Sequence, residues 1–419
     1  MSVTAESLPR QGVSVGIGAS VVPLLAIAIF INYVDRGNLA TAAPLMKNEL
    51  GLSATQLGLL LSMFFWSYTP CQILAGWLAE KITATRVLAI GLAIWSLATA
   101  VTGLVSGFAA LLALRLLLGV GESAAFPCSS KLLARHLPQH RLGSANGAIA
   151  VGLALGPAFG TFVGGMLMAH YGWRPVFLLF GLASLAWLLP WLWATREPSL
   201  GHDETRDAPA PGFLDILRHR EAWGACLGHF TGNYTFYFVI SWLPLYLVHE
   251  RGFTVAEMSV LGGMIYLVYA ASAWLTGWGS DHWMERGASA NRVRKTAIVA
   301  GGVLAAVAML GCAFGDSVVS VASLFLAALS FGLGTPTIYA IGQTLAGPRA
   351  AGKWIAVQNC VGNFAGVVAP LVTGLVIDRT GQFFWAFAIA CAVTIGGIFA
   401  WGVMIRCVAP VDWNATCTQ

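Results

Sequence analysis

The stretch IFINYVDRGNLATAAPL, Ile29 to Leu45, decides how this chain is read. It is an apolar run of helical length that carries an acid and a guanidinium side by side, Asp35 and Arg36. A charge at the centre of a bilayer costs about 2.5 to 3.5 kcal/mol on insertion scales, so ionisable residues there face a cavity or a partner. Whether this stretch crosses a membrane is answered by the rest of the chain.

Of 419 residues, 57% are hydrophobic and 10% charged, with 48 glycines and 16 tryptophans. An ordinary soluble domain carries about 25% charged residues. Apolar runs recur at about 20 residues, the length a helix needs to cross about 30 Å of hydrocarbon. They fall at 18–42, 57–79, 86–106, 108–131, 144–168, 175–195, 222–248, 257–279, 295–313, 319–346, 352–376 and 383–405. Lipid offers no partners to the backbone, and runs this long and continuously apolar are helices rather than barrel strands. The sequence therefore predicts an all-α polytopic membrane protein of twelve helices. The first 17 residues hold Glu6 and Arg10 but no cleavage pattern, so the run that follows is expected as an uncleaved first helix.

Of the 23 lysines and arginines, seventeen fall on the side of the N-terminus. Lys47, Arg174, Arg251 and Arg379 fall opposite, and Arg36 and Arg115 lie within helices. Basic residues stay in the cytoplasm, which places both termini there. The net charge of +5 then reflects topology and asks for no nucleic-acid partner. The eight cysteines are scattered singly, as packing residues rather than metal ligands or disulfides. The sequon at Asn414 falls on a cytoplasmic tail, where it is not glycosylated.

The polar stretch Arg196 to Gly212 separates six helices from six, giving halves at 1–195 and 221–419 with a linker at 196–220. His202, Asp203 and Glu204 within it read as a solvated loop. HRLGSANGAIAVGLALGPAFGTFVGG, from His140, resembles PRAAGKWIAVQNCVGNFAGVVAPLVTG, from Pro348, in the order of its Arg, Gly and Pro. GWLAEKITATRVLAIG, from Gly76, likewise resembles GWGSDHWMERGASANRVRKTAIVAGG, from Gly277. Repeated halves are a feature of secondary transporters, whose substrates bind near the midplane between them.

The loop GWLAEKITATR is similar to that of the major facilitator superfamily. NYVDRGNL in helix one, YTPCQILAGW in helix two, RLLLGVGESAAFP in helix four and YFVISWLPLYL in helix seven resemble its anion:cation symporter family. That family holds bacterial galactonate, hexuronate and glucarate transporters and animal sialic-acid and vesicular glutamate carriers. The resemblance implies proton coupling at Asp35 and Glu122, substrate binding at Arg36, and a contact between Arg115 and Glu122. Vesicular glutamate carriers lack the helix-one acid, so the chain is closer to the bacterial symporters.

The residues themselves point the same way. Arg115 and Glu122 are seven apart, so they share a helix face about 10 Å apart and must find partners elsewhere. An arginine grips a carboxylate with two parallel hydrogen bonds. An anion bound there takes away the counter-charge that keeps a neighbouring carboxyl ionised, so proton and anion favour each other's binding. A salt bridge that only locks helices together is the alternative.

Polar residues also repeat at helical spacing: Tyr68 and Gln72, Asn233 with Tyr237 and Ser241, Tyr339 and Gln343, Asn359 and Asn363. With Tyr33, these are expected to meet the substrate, and helix-to-helix hydrogen bonding is the other reading of each. Gly156 and Pro157 mark a helix that bends and packs closely. By the superfamily pattern, Glu80 with Arg86 and Asp281 with Arg286 are expected as cytoplasmic ion pairs of the gate.

There is no GxxxxGK[ST] phosphate cradle, no nucleophile with a base and no HExxH, so neither ATP nor enzymatic chemistry is expected. The expectation is a monomeric carrier without cofactor or metal, driven by the proton gradient, importing a sugar acid such as a hexonate or hexuronate. Carriage of aromatic or dicarboxylic acids, exchange of organic phosphates, and a sensor that transports nothing are the alternatives.

Overall fold

The computed structural model describes residues 15–52, 54–196, 211–253 and 255–413. Glu6 and Arg10, the cluster at His202 and the sequon at Asn414 lie outside them. Among the described residues eight helical stretches are long and apolar enough to cross a membrane. One of these, within α14 (Ser317–Thr380), breaks at Gly347, whose φ of 65° only glycine adopts easily, and Pro348 starts the return. α14 therefore supplies the tenth and eleventh crossings. With α1 (Val15–Leu50), α2 (Ala54–Lys81) and α11 (Arg220–Leu245) the chain crosses twelve times, as its apolar runs predict.

Several crossings are interrupted. The third is α3 (Ala84–Thr102); the fourth is split into α4 (Phe108–Glu122) and α5 (Ala125–His136). The fifth joins α6 (Leu142–Phe159) to α7 (Gly165–Tyr171) through a wider π turn at Gly160–Gly164. That turn follows Pro157, which has no N–H to give and crowds the preceding turn. The sixth is α8 (Trp173–Ala186) and α9 (Leu188–Ala194), followed by the short α10 (Phe213–Arg218). α12 (Val255–Glu285), α13 (Ala290–Phe314) and α15 (Phe384–Phe399) are the eighth, ninth and twelfth.

Glycines set how closely these helices approach. A methyl at Gly152, Gly156 or Gly160 of the fifth crossing would lie 2.5, 2.7 or 2.6 Å from a carbonyl oxygen of α1. On α4, Gly119 and Gly121 do the same against α2 and α3, at 2.6 and 2.7 Å. Bare backbone at these positions draws α1 and α4 into the middle of the first half, and these two helices carry Asp35, Arg36 and Glu122.

On the lysine- and arginine-rich side, hydrogen bonds and an ion pair join the first six crossings to the last six. Asn146 and Gln343 exchange amide hydrogen bonds of 2.7 and 3.2 Å. Arg294, fully buried, donates to the Gln139 carbonyl at 2.6 Å. Arg141 and Glu285 stand 3.8 Å apart at the surface. The gate pairs expected from the sequence take other partners. Glu80, in the last turn of α2, faces α5 and accepts from Lys131 at 2.8 Å rather than from Arg86. Asp281 crosses between the halves and accepts the backbone N–H groups of Gly143 and Ser144, at 3.0 and 2.6 Å, rather than pairing with Arg286. The first N–H groups of α6 have no carbonyl within their own helix, so a buried carboxylate beside them is drawn to them.

Candidate transport site

Neighbouring residues on a helix point about 100° apart, so Asp35 and Arg36 look to different helices. Asp35 is buried and accepts a hydrogen bond from Thr99 of α3 at 3.2 Å through Oδ2. Its Oδ1 has no hydrogen-bond partner. Arg36 turns toward α4, where Nε and Nη2 reach Glu122 Oε2 at 3.2 and 3.1 Å. Glu122 is fully buried, and its Oε1 is without a partner. Arg115 is buried within electrostatic reach of both carboxylates. Asn32, a turn before Asp35, is also buried, with both amide atoms unpaired. Two arginines, two carboxylates and an unsatisfied amide thus share one buried cluster.

Arg36 is also held by rings. Its Cζ lies 4.4 Å from the Tyr33 centroid, 4.6 Å from Phe64 and 4.7 Å from Tyr68. Each such contact is worth about 0.5 to 2 kcal/mol, the larger values where water is excluded. The cage and Glu122 hold the guanidinium in one place while leaving its planar edge partly accessible, at 16% exposure.

Beyond Tyr33 lies a cavity with about 920 Å³ of atom-free space, counting its mouth. Of the residues expected to meet substrate, Tyr33, Asn233, Tyr237, Tyr339 and Asn363 line it. Tyr237 donates to Asn363 at 2.8 Å and Tyr339 to Asn359 at 3.2 Å, while Tyr339 stacks on Phe126 at 4.9 Å. Arg36, Tyr68, Arg115 and Asn359 do not line it, but Arg36 lies against Tyr33 and Tyr237, which do. Gln72 is fully buried with both amide atoms unpaired. Gln343 differs from its expected role: it is turned to Asn146 and closes the basic side. Ser241 falls outside the residues whose side chains are described. Gly156 and Pro157 seat α1 and precede the π turn.

Sequence reasoning passed over Thr99, Asn146 and His229. Thr99 and Asn146 carry no signal that sets them apart in apolar helices. His229 does: it is a lone imidazole in an apolar span, one turn before Asn233, and it lines the cavity.

The chain matches the Major Facilitator Superfamily profile over residues 25–370. The chain belongs to the Major Facilitator Superfamily. It is 28% identical to the D-galactonate transporter of Escherichia coli O6:H1, across 91% of this chain and 94% of that one. It is 30% identical to the hexuronate transporter of Bacillus subtilis, across 93% and 94%. A solved structure of the E. coli fucose:proton symporter FucP superposes with a TM-score of 0.72 at 17% identity. That likeness, covering 92% of this chain and 99% of FucP, concerns the fold alone. As a superfamily member the chain is a multi-pass membrane transporter and not an enzyme.

Proposed function

We propose that the chain is a proton-coupled symporter that imports a small organic anion, a sugar acid of the hexonate or hexuronate kind, into a bacterium by alternating access. The observation that carries this reading is the Arg36–Glu122 pair, buried at the junction of the halves beside a second carboxylate, Asp35. An incoming carboxylate competes with Glu122 for the guanidinium. Released from Arg36, Glu122 is a buried carboxylate without its counter-charge, and taking up a proton relieves that cost. Anion and proton therefore load together. The transporters of galactonate and hexuronate among the relatives support the class of cargo.

The basic side is the cytoplasmic one in this reading, and the contacts there close that side. Cargo reaches Arg36 from outside, Asp35 and Glu122 are protonated, the halves rock, and anion and protons leave to the cytoplasm. The gradient supplies the energy and no cofactor takes part. Replacing Glu122 by Gln keeps the shape and removes the titration. In proteoliposomes E122Q is expected to lose accumulation against a gradient while retaining exchange of labelled for unlabelled anion. Undiminished proton-driven accumulation defeats the role given to Glu122.

A further inference from the structure

The cavity is lopsided. Only Tyr33, Phe126 and Leu153 come from the first half, and the remaining wall belongs to the second. Two glycines there face open space. A methyl at Gly334 of α14 would meet nothing within 4 Å, and one at Gly232 of α11 would meet only Ile338 Cδ1, at 3.8 Å. Both line the cavity, so in each case the missing side chain is part of the void rather than of a helix contact.

His229 stands on the same wall, one turn before Gly232 and Asn233. Its tautomer follows from its neighbours. An indole N–H only donates, so the Trp354 Nε1 contact at 3.2 Å fixes the oxygen of Gln358 toward Trp354. The amide nitrogen of Gln358 then faces His229 Nδ1, at 3.4 Å. Nδ1 is thereby the acceptor, and the proton of the neutral ring sits on Nε2 as a donor. The hydroxyls on this wall are already paired within the protein: Tyr269 with Thr335 and Thr235 with Thr394, both at 2.8 Å. They retain acceptor capacity, and the imidazole adds a donor beside them.

Resting on the reading that Arg36 takes the carboxylate, we propose that this chamber receives the opposite end of the anion, with His229 donating to its terminal oxygen. Gly232 and Gly334 then set the longest chain the carrier accepts, which in that reading is the six carbons of a hexonate or hexuronate. A shorter acid fills the space at Arg36 and leaves the chamber to water. A methyl at either glycine shortens the chamber, and because each points into open space the helices need not move to admit it.

The test is binding of aldonates of three to six carbons to the full-length carrier in detergent. Gly334→Ala and Gly232→Ala are each expected to weaken the six-carbon acid at least tenfold. The shortest acid that the wild type binds is expected to stay within twofold. Because the glycines lie on different helices, a folding failure of one variant leaves the other as the test. His229→Leu is expected to raise KM for the six-carbon acid, with partial recovery in His229→Gln. The pH profile of transport should be unmoved in both, since Asp35 and Glu122 are untouched. Folded variants with an unchanged length profile, or an equal loss for all lengths, overturn the inference alone. A wild type that binds no acid of any length defeats the substrate reading and this inference with it.

Discussion

Asp281 offers a perturbation whose size can be worked out. Its carboxylate, 4% exposed, reaches across the two halves and takes both Gly143 N–H at 3.0 Å and Ser144 N–H at 2.6 Å at the start of α6. A hydrogen bond to a charged group contributes about 1.5 to 3 kcal/mol net. Loss of an N-cap side chain costs about 0.5 to 2 kcal/mol. When the halves part on this side, water replaces part of what Asp281 gave, so Asp281→Ala should disfavour the sealed state by about 2 kcal/mol, or roughly 30-fold. A carrier sealed about 99 to 1 would fall to about 3 to 1. Spin labels at the exposed His140 and Arg286, on either side of the contact, read this as a second, longer distance in double electron–electron resonance. A distribution in Asp281→Ala that matches the wild type refutes the assignment of Asp281 as a latch between the halves.

Three further outcomes follow from the packing. The Asn146–Gln343 exchange joins the same halves, so a double-mutant cycle with alanine at both positions should give a coupling of about 0.6 kcal/mol in the sealed state, and at most about 1.7; a value of zero removes the pair from the gate. Gly156→Ala would place a methyl 2.7 Å from Phe30 O and Tyr33 Cβ, and should lower the thermal midpoint in detergent by the equivalent of about 1 to 3 kcal/mol while reducing transport; an unchanged midpoint shows that α1 can shift freely. At the other end of α1, Glu49 bonds Arg174 at 2.8 Å and Trp173 at 2.6 Å, and the Arg174 bond foremost holds its carboxyl below the usual range. A carboxyl lowered on folding stabilises above its unfolded value and stops doing so as pH falls through the folded one. The wild type should therefore be more stable than Glu49→Gln at pH 7, by no more than about 1 kcal/mol for so exposed a pair, and lose that margin in acid; a margin that persists in strong acid contradicts the sign.

The periodicity of apolar runs made the twelve crossings legible, because a bilayer imposes helix length and continuous apolarity directly on sequence. Asp35, Arg36, Arg115 and Glu122 were legible for the same reason: charge in such a run is costly and needs a purpose. What a one-dimensional pattern cannot carry is the direction of side chains between helices. Arg36 rather than Arg115 takes Glu122, because the glycines of α6 seat α1 and those of α4 draw it in against α2 and α3. Glu80 finds Lys131, and Asp281 finds the bare N–H groups of α6, because backbone donors at a helix start leave no trace in composition. Gln343 sits on the expected stripe of α14, yet its amide meets Asn146 from the other half. The seat of Glu122 beside a break in the fourth crossing was likewise hidden, since Ser123 and Ala124 read as ordinary small residues.

Charge movement in proteoliposomes bears most directly on proton-coupled anion uptake. Galactonate, gluconate, glucuronate and glucarate are applied in turn at two pH values, with aromatic acids and glycerol phosphate as the contrast. An inward positive current for one sugar acid, larger at the more acid pH and lost in E122Q, is the expected result. A folded carrier that moves a sugar acid at the same rate at both pH values, with E122Q indistinguishable from wild type, contradicts it.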